Sequence, residues 1–194
     1  MRSLVSLEGK TVTLVCVGEG IAEDAVEGIA EEMLQAIEPD NTKNLSFFSE
    51  SVSLSREIEY LKKMERSESD ILFVVRLKND NRIIGAIGLH EYDKGNRNAR
   101  LGILIFRKED RGEGSGGEAV QLILKHAFLE MELHKIYVRV LKTNKKAANH
   151  YRNLGFVREG YLREEYYLNG NFCDMIEFSI LNREWEKQKK GAKS

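Results

Sequence analysis

The stretch Ile103-Leu104-Ile105-Phe106-Arg107-Lys108-Glu109-Asp110-Arg111-Gly112-Glu113-Gly114-Ser115-Gly116-Gly117-Glu118-Ala119 decides how this chain is read. An apolar, strand-like run enters a loop with four glycines in six positions, and the loop opens directly into a helical pattern. Glycine lets the backbone curl so that successive N–H groups turn inward. A helix start adds unpaired N–H groups and partial positive charge. The backbone from Gly112 through Glu113, Gly114, Ser115, Gly116 and Gly117 is therefore expected to cradle a phosphate or diphosphate. Arg107, Lys108 and Arg111 bring positive charge to the same segment. A loop that merely reversed the chain would need one or two glycines.

The loop also fits Gly-x-Gly-x-x-Gly at Gly112, Gly114 and Gly117. A dinucleotide site wants an acidic residue about 20 positions on, at the end of the next strand. Glu130 and Glu132 have the distance but precede the strand-like run 134–141. Gly-Lys-Ser/Thr is absent, so the loop is no P-loop.

Working outward, alternation and β-branched content predict strands over 10–17, 71–77, 82–90, 98–106, 134–141, 156–168 and 171–181. Apolar Ile21, Ala25, Ile29, Met33 and Ile37 predict an amphipathic helix over 20–37, whose positions 19–32 carry an acidic face. Ser53 or Ser55 can cap a second helix running through Ile58, Leu61 and Met64. Helices are also expected over 115–130 and 144–153, and Asn169-Gly170 marks a hairpin. Three strands joined by turns, then strand–helix–strand, imply a mixed, mostly antiparallel sheet of about seven strands with about four helices. Three antiparallel strands ahead of the loop also disagree with a doubly wound fold. Residues 1–183 read as one domain, and the polar stretch 184–194 as a tail that frays.

Net charge is −1, from 30 basic and 31 acidic residues, which gives no basic excess for nucleic acid. Cys16 and Cys173 are too few for a disulfide framework, and no histidine or cysteine spacing suits a metal. No apolar run approaches a membrane span, and the first ten residues carry no secretory signal, so a cytoplasmic setting is expected.

Arg111-x-x-Gly114-x-Gly116 resembles the acetyl-CoA motif of the GNAT N-acetyltransferase superfamily, Gln/Arg-x-x-Gly-x-Gly/Ala. A second stretch, Asn144-x-x-Ala147-x-x-x-Tyr151-x-x-x-Gly155-Phe156, is similar to that family's Asn-x-x-Ala-x-x-x-Tyr-x-x-x-Gly-Phe segment. The two motifs stand 33 residues apart, with one helix and one strand between them. Leu133-His134-Lys135-Ile136-Tyr137 and the run from Gly160 to Asp174 resemble the ribosomal-protein (RimJ/RimL) branch and its spermidine acetyltransferase relatives.

The resemblance implies the α+β GNAT fold, with the sheet splayed between the fourth and fifth predicted strands. It implies acetyl-CoA as the acetyl donor and direct attack by an amine in a ternary complex. The cofactor-binding residues it implies are Ile103, Ile105, Arg111, Gly112, Glu113, Gly114, Ser115, Gly116, Gly117, Asn144, Ala147 and Tyr151. Tyr151 is expected to protonate the departing thiolate. An amine is cationic at neutral pH, so its proton needs an acceptor. Glu91 is the expected base, with His90, Glu164 and Glu165 as further candidates. Many relatives carry Ala-Glu-Ile-Gly on the strand before the loop, where this chain has Ala99-Arg100-Leu101-Gly102, so that glutamate's role does not transfer. Arg100 keeps open the alternative of a non-catalytic acyl-CoA-binding module. The expected acceptor is a protein N-terminal amine, a polyamine or another small amine, and a homodimer is among the assemblies left open. The acidic face of 19–32 reads first as a solvated helix surface, and second as a face that attracts a polyamine or a basic peptide.

Overall fold

The computed structural model describes residues 6–18, 22–37 and 53–191. Its chain divides into two compact units that interleave in sequence: residues 1–90 with 102–123, and residues 91–101 with 124–194.

The first unit is built on β1 (Ser6–Glu8), β2 (Val12–Val17), β3 (Ile71–Leu77), the start of β4 (Ile83–Asp93) and the end of β5 (Asn98–Ile105), in the order β1-β2-β3-β4-β5. β1, β2, β3 and β4 pair antiparallel, with Val12 opposite Leu77 and Ile71 opposite Leu89. Two helices, α1 (Glu23–Ala36) and α2 (Leu54–Arg66), supply apolar stripes to this sheet. Ser53 caps α2 by accepting from the Arg56 N–H at 3.4 Å, which satisfies one donor of its first turn. Val26, Ile29, Ala30 and Met33 of α1 and Leu61 and Met64 of α2 close a core over Val17, Leu72, Val74, Ile83 and Phe106. The buried stripe of α1 departs from the expected one. Ala25 is exposed, and Val26, Ala30 and Ala36 take its place on the core side. Of the expected acidic face, positions 19–21 lie outside the described residues; Asp24, Glu27, Glu31 and Glu32 are exposed, and Glu32 pairs with Arg76 at 3.0 Å.

The second unit holds the remainder of β4 and β5, the end of α3 (Ser115–Leu129), β6 (Lys135–Leu141), α4 (Lys145–Asn153), β7 (Val157–Leu168), β8 (Asn171–Leu181) and α5 (Asn182–Gly191). Its strand order is β5-β6-β8-β7. β5 and β6 run parallel, as a helical crossover between them requires. Their register covers three pairs, Asn98–Lys135 to Arg100–Tyr137, a short run for strands of eight and seven residues. β7 and β8 form the expected hairpin, with φ of 49° at Asn169 and 82° at Gly170. Two positive φ values are what a type I′ turn needs, and Asn-Gly supplies them at low cost. Ile136, Val138, Ile176, Phe178 and Ile180 are buried, as are Phe128 and Trp185, whose rings lie 5.5 Å apart.

The element order follows the expected one, with two additions. β1 is only three residues long. The polar stretch expected to fray is instead helical through Gly191, because Trp185, 5% exposed, anchors α5. Among the described residues, no helix is long and apolar enough to cross a membrane.

Candidate functional site

In the first unit, β5 delivers Ile103 and Ile105 to a loop braced at three points. The Phe106 N–H donates to the Ile84 carbonyl at 2.9 Å. Arg82 donates to both carboxylate oxygens of Asp110 at 2.9 Å, a bidentate pair in which the Asp110 side chain is 7% exposed. Arg111 folds back and donates from Nε and a terminal nitrogen to the Ile105 carbonyl, at 3.1 and 2.6 Å. Arg111 therefore clamps the loop to the strand it leaves. Arg107, also expected to bring charge, donates to the Gln35 carbonyl at 3.3 Å.

Beyond this base the backbone curls. Gly112 and Gly114 adopt φ of +93° and +91°, while Glu113 between them stays out of the left-handed region. Alternation of this kind turns consecutive N–H groups into one concavity. The first helical hydrogen bond of α3 runs from the Glu118 N–H to the Gly114 carbonyl at 2.9 Å. The amides of Ser115, Gly116 and Gly117 stand ahead of it, among those that a helix start leaves over for a cap or a ligand. Gly116 lies against Ile103 and Ile105, which joins the helix start to the strand.

An acidic side chain in the first turn of such a helix competes with a bound anion. Glu118 is drawn off to the β1–β2 turn, where its carboxylate accepts from the Lys10 amide, the Thr11 amide at 3.1 Å and the Thr11 hydroxyl. Burial raises its pKa, but the Thr11 hydroxyl and the two amides outweigh this and hold it below the ordinary carboxylate value.

These braces carry a prediction. Asp110→Asn leaves a neutral amide against Arg82 and is expected to cost roughly 1.5–3 kcal/mol of stability, the range for a hydrogen bond to a charged group. Urea unfolding of the variant measures it, and an unchanged midpoint removes the pair from the loop's support.

The second unit holds the remaining candidates. Glu91 has a φ of 54° and accepts from Arg100 Nε at 2.8 Å and from the Tyr137 hydroxyl at 2.7 Å. Burial works against its charge, yet these two partners hold its pKa below the ordinary carboxylate value. Burial and Glu91 together push the Tyr137 phenol up to about 12. Asn144 caps α4, its side-chain oxygen accepting from the Ala147 N–H at 3.0 Å. Tyr151, one face of α4 further on, is 7% exposed and meets the Phe156 ring edge-on at 5.3 Å. Burial pushes its phenol up to about 12. Glu165 pairs with Arg139 at 3.2 Å, and the Glu164 amide donates to Asp174.

Ile103, Ile105 and Arg111 through Gly117 thus gather in the first unit, while Glu91, Asn144, Ala147 and Tyr151 belong to the second. The supports Arg82, Asp110 and Thr11 had no signal in the sequence, since each acts through a partner far along the chain.

A family model described as an acetyltransferase (GNAT) domain matches residues 21–157. The putative ribosomal N-acetyltransferase YdaF of Bacillus subtilis (strain 168) is 36% identical over 110 residues, 57% of this chain and 60% of that protein. The spermidine N(1)-acetyltransferase of Vibrio cholerae is 32% identical over 149 residues, 75% of this chain and 85% of that protein. Among solved structures, spermidine/spermine N-acetyltransferase SpeG from Vibrio cholerae in complex with manganese ions superposes with a TM-score of 0.71 at 26% identity, covering 92% of this chain and 96% of that one. A probable acetyltransferase gives a TM-score of 0.78 at 26% identity, covering 93% and 99%.

Proposed function

The chain belongs to the GNAT acetyltransferase family, and from that premise we propose that it transfers the acetyl group of acetyl-CoA directly to a primary amine. The amine is a polyamine such as spermidine, the substrate in the name of one relative, or the amino terminus of a protein. The observation that carries the donor half is the braced, glycine-curled loop at Gly112–Gly117 opening α3, whose surplus amides match the diphosphate of acetyl-CoA. The Ile105 end of β5 supplies the strand edge for its pantetheine arm. Acetyl-CoA contributes the thioester; the chain holds it, receives the amine and moves protons. Tyr151 is the proposed acid for the departing thiolate. Asn144 and Ala147 contribute through the start of α4.

Glu91, the base expected from the sequence, is already shared by Arg100 and Tyr137, both of which favour its ionised form. A carboxylate so held suits attraction of a cationic amine better than removal of its proton.

The test is acetyl-CoA binding by calorimetry, followed by free-thiol release with spermidine and with a peptide bearing a free N-terminus. Absence of binding at about 1 mM acetyl-CoA, the weak end of useful affinity, overturns the proposal. Binding with no turnover on any amine favours the acyl-CoA-binding module instead. Gly114→Val probes the loop directly. A β-branched residue at a φ of +91° is strained by about 1–3 kcal/mol. Relaxing that strain disperses the amides, so acetyl-CoA affinity is expected to fall by roughly tenfold or more.

A further inference from the structure

His90 ends the part of β4 that lies in the first unit, and its surroundings are more specific than the sequence suggested. Its Nδ1 lies 3.0 Å from Asp70 Oδ1, in the turn between α2 and β3. That carboxylate is itself fixed. The Ser67 hydroxyl donates to Asp70 Oδ2 at 2.7 Å, the Ser69 hydroxyl donates to the same oxygen at 3.1 Å, and the Asp70 N–H donates to the Ser67 hydroxyl at 3.0 Å. Burial works against the Asp70 charge, but Ser67 and His90 outweigh it and hold its pKa below the ordinary carboxylate value. An ionised carboxylate only accepts hydrogen bonds, so the proton between the two groups sits on His90 Nδ1. In the neutral ring the lone pair is then on Nε2.

The opposite edge of the ring lies across two glycines. A Cβ on Gly88 would meet Nε2 at 3.0 Å, and one on Gly102 would meet Nε2 and Cδ2 at 3.2 Å. At Gly88 a Cβ would also meet the Ile71 carbonyl oxygen at 2.7 Å, and at either position the imidazole would have to shift by a few tenths of an ångström. Among the described residues Nε2 has no hydrogen-bond partner, and the side chain is 18% exposed. Gly88 stands opposite Leu72 and Ala86 opposite Val74, so this ring sits on the α1–α2 side of the sheet. Gly102 is three residues before Ile105 on β5, roughly 10 Å along the strand.

We propose that His90 is the proton acceptor for the attacking amine and that Asp70 is its positioning residue. The inference rests on the acetyl-transfer reading above. His90 Nε2 takes one proton from the substrate ammonium, directly or through one water. The freed amine lone pair forms the N–C bond to the thioester carbonyl carbon, and the C–S bond breaks with its electron pair leaving on sulfur. The new amide nitrogen loses its second proton as the thiolate gains one, and the proton on His90 passes to solvent. One proton is released per turnover, and no oxidant or metal is required.

His90→Asn is the decisive variant, because its amide can still donate to Asp70 from the Nδ1 position while offering no base. It is expected to lower kcat/KM for the amine by about 100-fold or more, the usual worth of a general base, with acetyl-CoA affinity unchanged. Asp70→Asn is expected to lower kcat while KM for the amine stays near wild type. Long-range nitrogen-15 spectra of the wild-type protein should place the neutral-ring proton on Nδ1. A proton on Nε2 overturns the proposal, as does a His90→Asn enzyme that keeps more than about a third of wild-type turnover. The spectra decide the matter even where a variant fails to fold. Loss of acetyl-CoA binding or of turnover by the wild-type protein sinks the acetyl-transfer reading itself; full wild-type turnover with an indifferent His90 sinks only this one.

Discussion

Tyr151→Phe is expected to lower turnover by about 100-fold or more, the span that a positioned proton donor contributes, with acetyl-CoA affinity nearly unchanged. The variant keeps the ring that fills the space beside Phe156 and removes one oxygen, so packing survives and the proton is lost. The phenol's pKa, pushed by burial to about 12, makes the prediction sharper. A thiolate leaving group needs a donor that is still protonated at the moment of C–S cleavage. Tyr151 meets this condition throughout the neutral and mildly alkaline range, so its own ionisation should produce no fall in kcat below about pH 11. Free-thiol release at saturating amine, measured for both proteins from pH 7 to pH 10, checks both statements. Turnover within about threefold of wild type returns Tyr151 to a packing role. A wild-type rate that declines through pH 9 in step with a group absent from the variant would keep Tyr151 as the acid and place its phenol well below 12.

The parts of this molecule that could be read from the sequence are those whose signal is local. Four glycines between Gly112 and Gly117 announce a curled backbone whatever surrounds them, and Asn169-Gly170 announces its hairpin. The strands β2 to β8 have enough length for their pattern to repeat. β1 has three residues and no room for a pattern. α5 is polar at nearly every position, and a single buried tryptophan ties it down, which no periodicity count registers. On α1 the expected Ile29 and Met33 are buried, but Val26 turns inward in place of Ala25, a choice that the sheet beneath makes and local sequence does not.

The supports of the candidate site share a different obstacle. Arg82 meets Asp110 across 28 residues, Glu91 meets Tyr137 across 46, and Glu118 meets Thr11 across 107. A carboxylate in a loop reads as a solvated charge until its partner is placed. Residue type alone makes Glu91 a candidate base, and it gives Asp70 no role, although Asp70 is tied to Ser67 and lies 3.0 Å from the His90 ring. Residue type is legible in each case, and the pairing that fixes its charge and orientation is not.

The largest effect expected on stability comes from a residue with no place in the chemistry. Glu57 lies on the buried face of α2 with Leu61 and Met64, and is 4% exposed. Among the described residues its Oε1 has no hydrogen-bond partner. Burial raises its pKa from the ordinary 4.5 to about 7. The folded protein therefore keeps this proton up to about pH 7, while the unfolded chain releases it near 4.5. Between those values the folded state binds more protons, so stability falls as pH rises through the window and levels off above it. The difference between the two values corresponds to about 3 kcal/mol. Glu57→Gln cannot ionise. Its unfolding free energy should match wild type near pH 4.5 and exceed it by about 3 kcal/mol at pH 8. Urea titrations of both proteins at pH 4.5, 6 and 8 measure the gap directly. A gap that stays constant with pH would mean that Glu57 titrates alike in both states and is solvated in the folded protein.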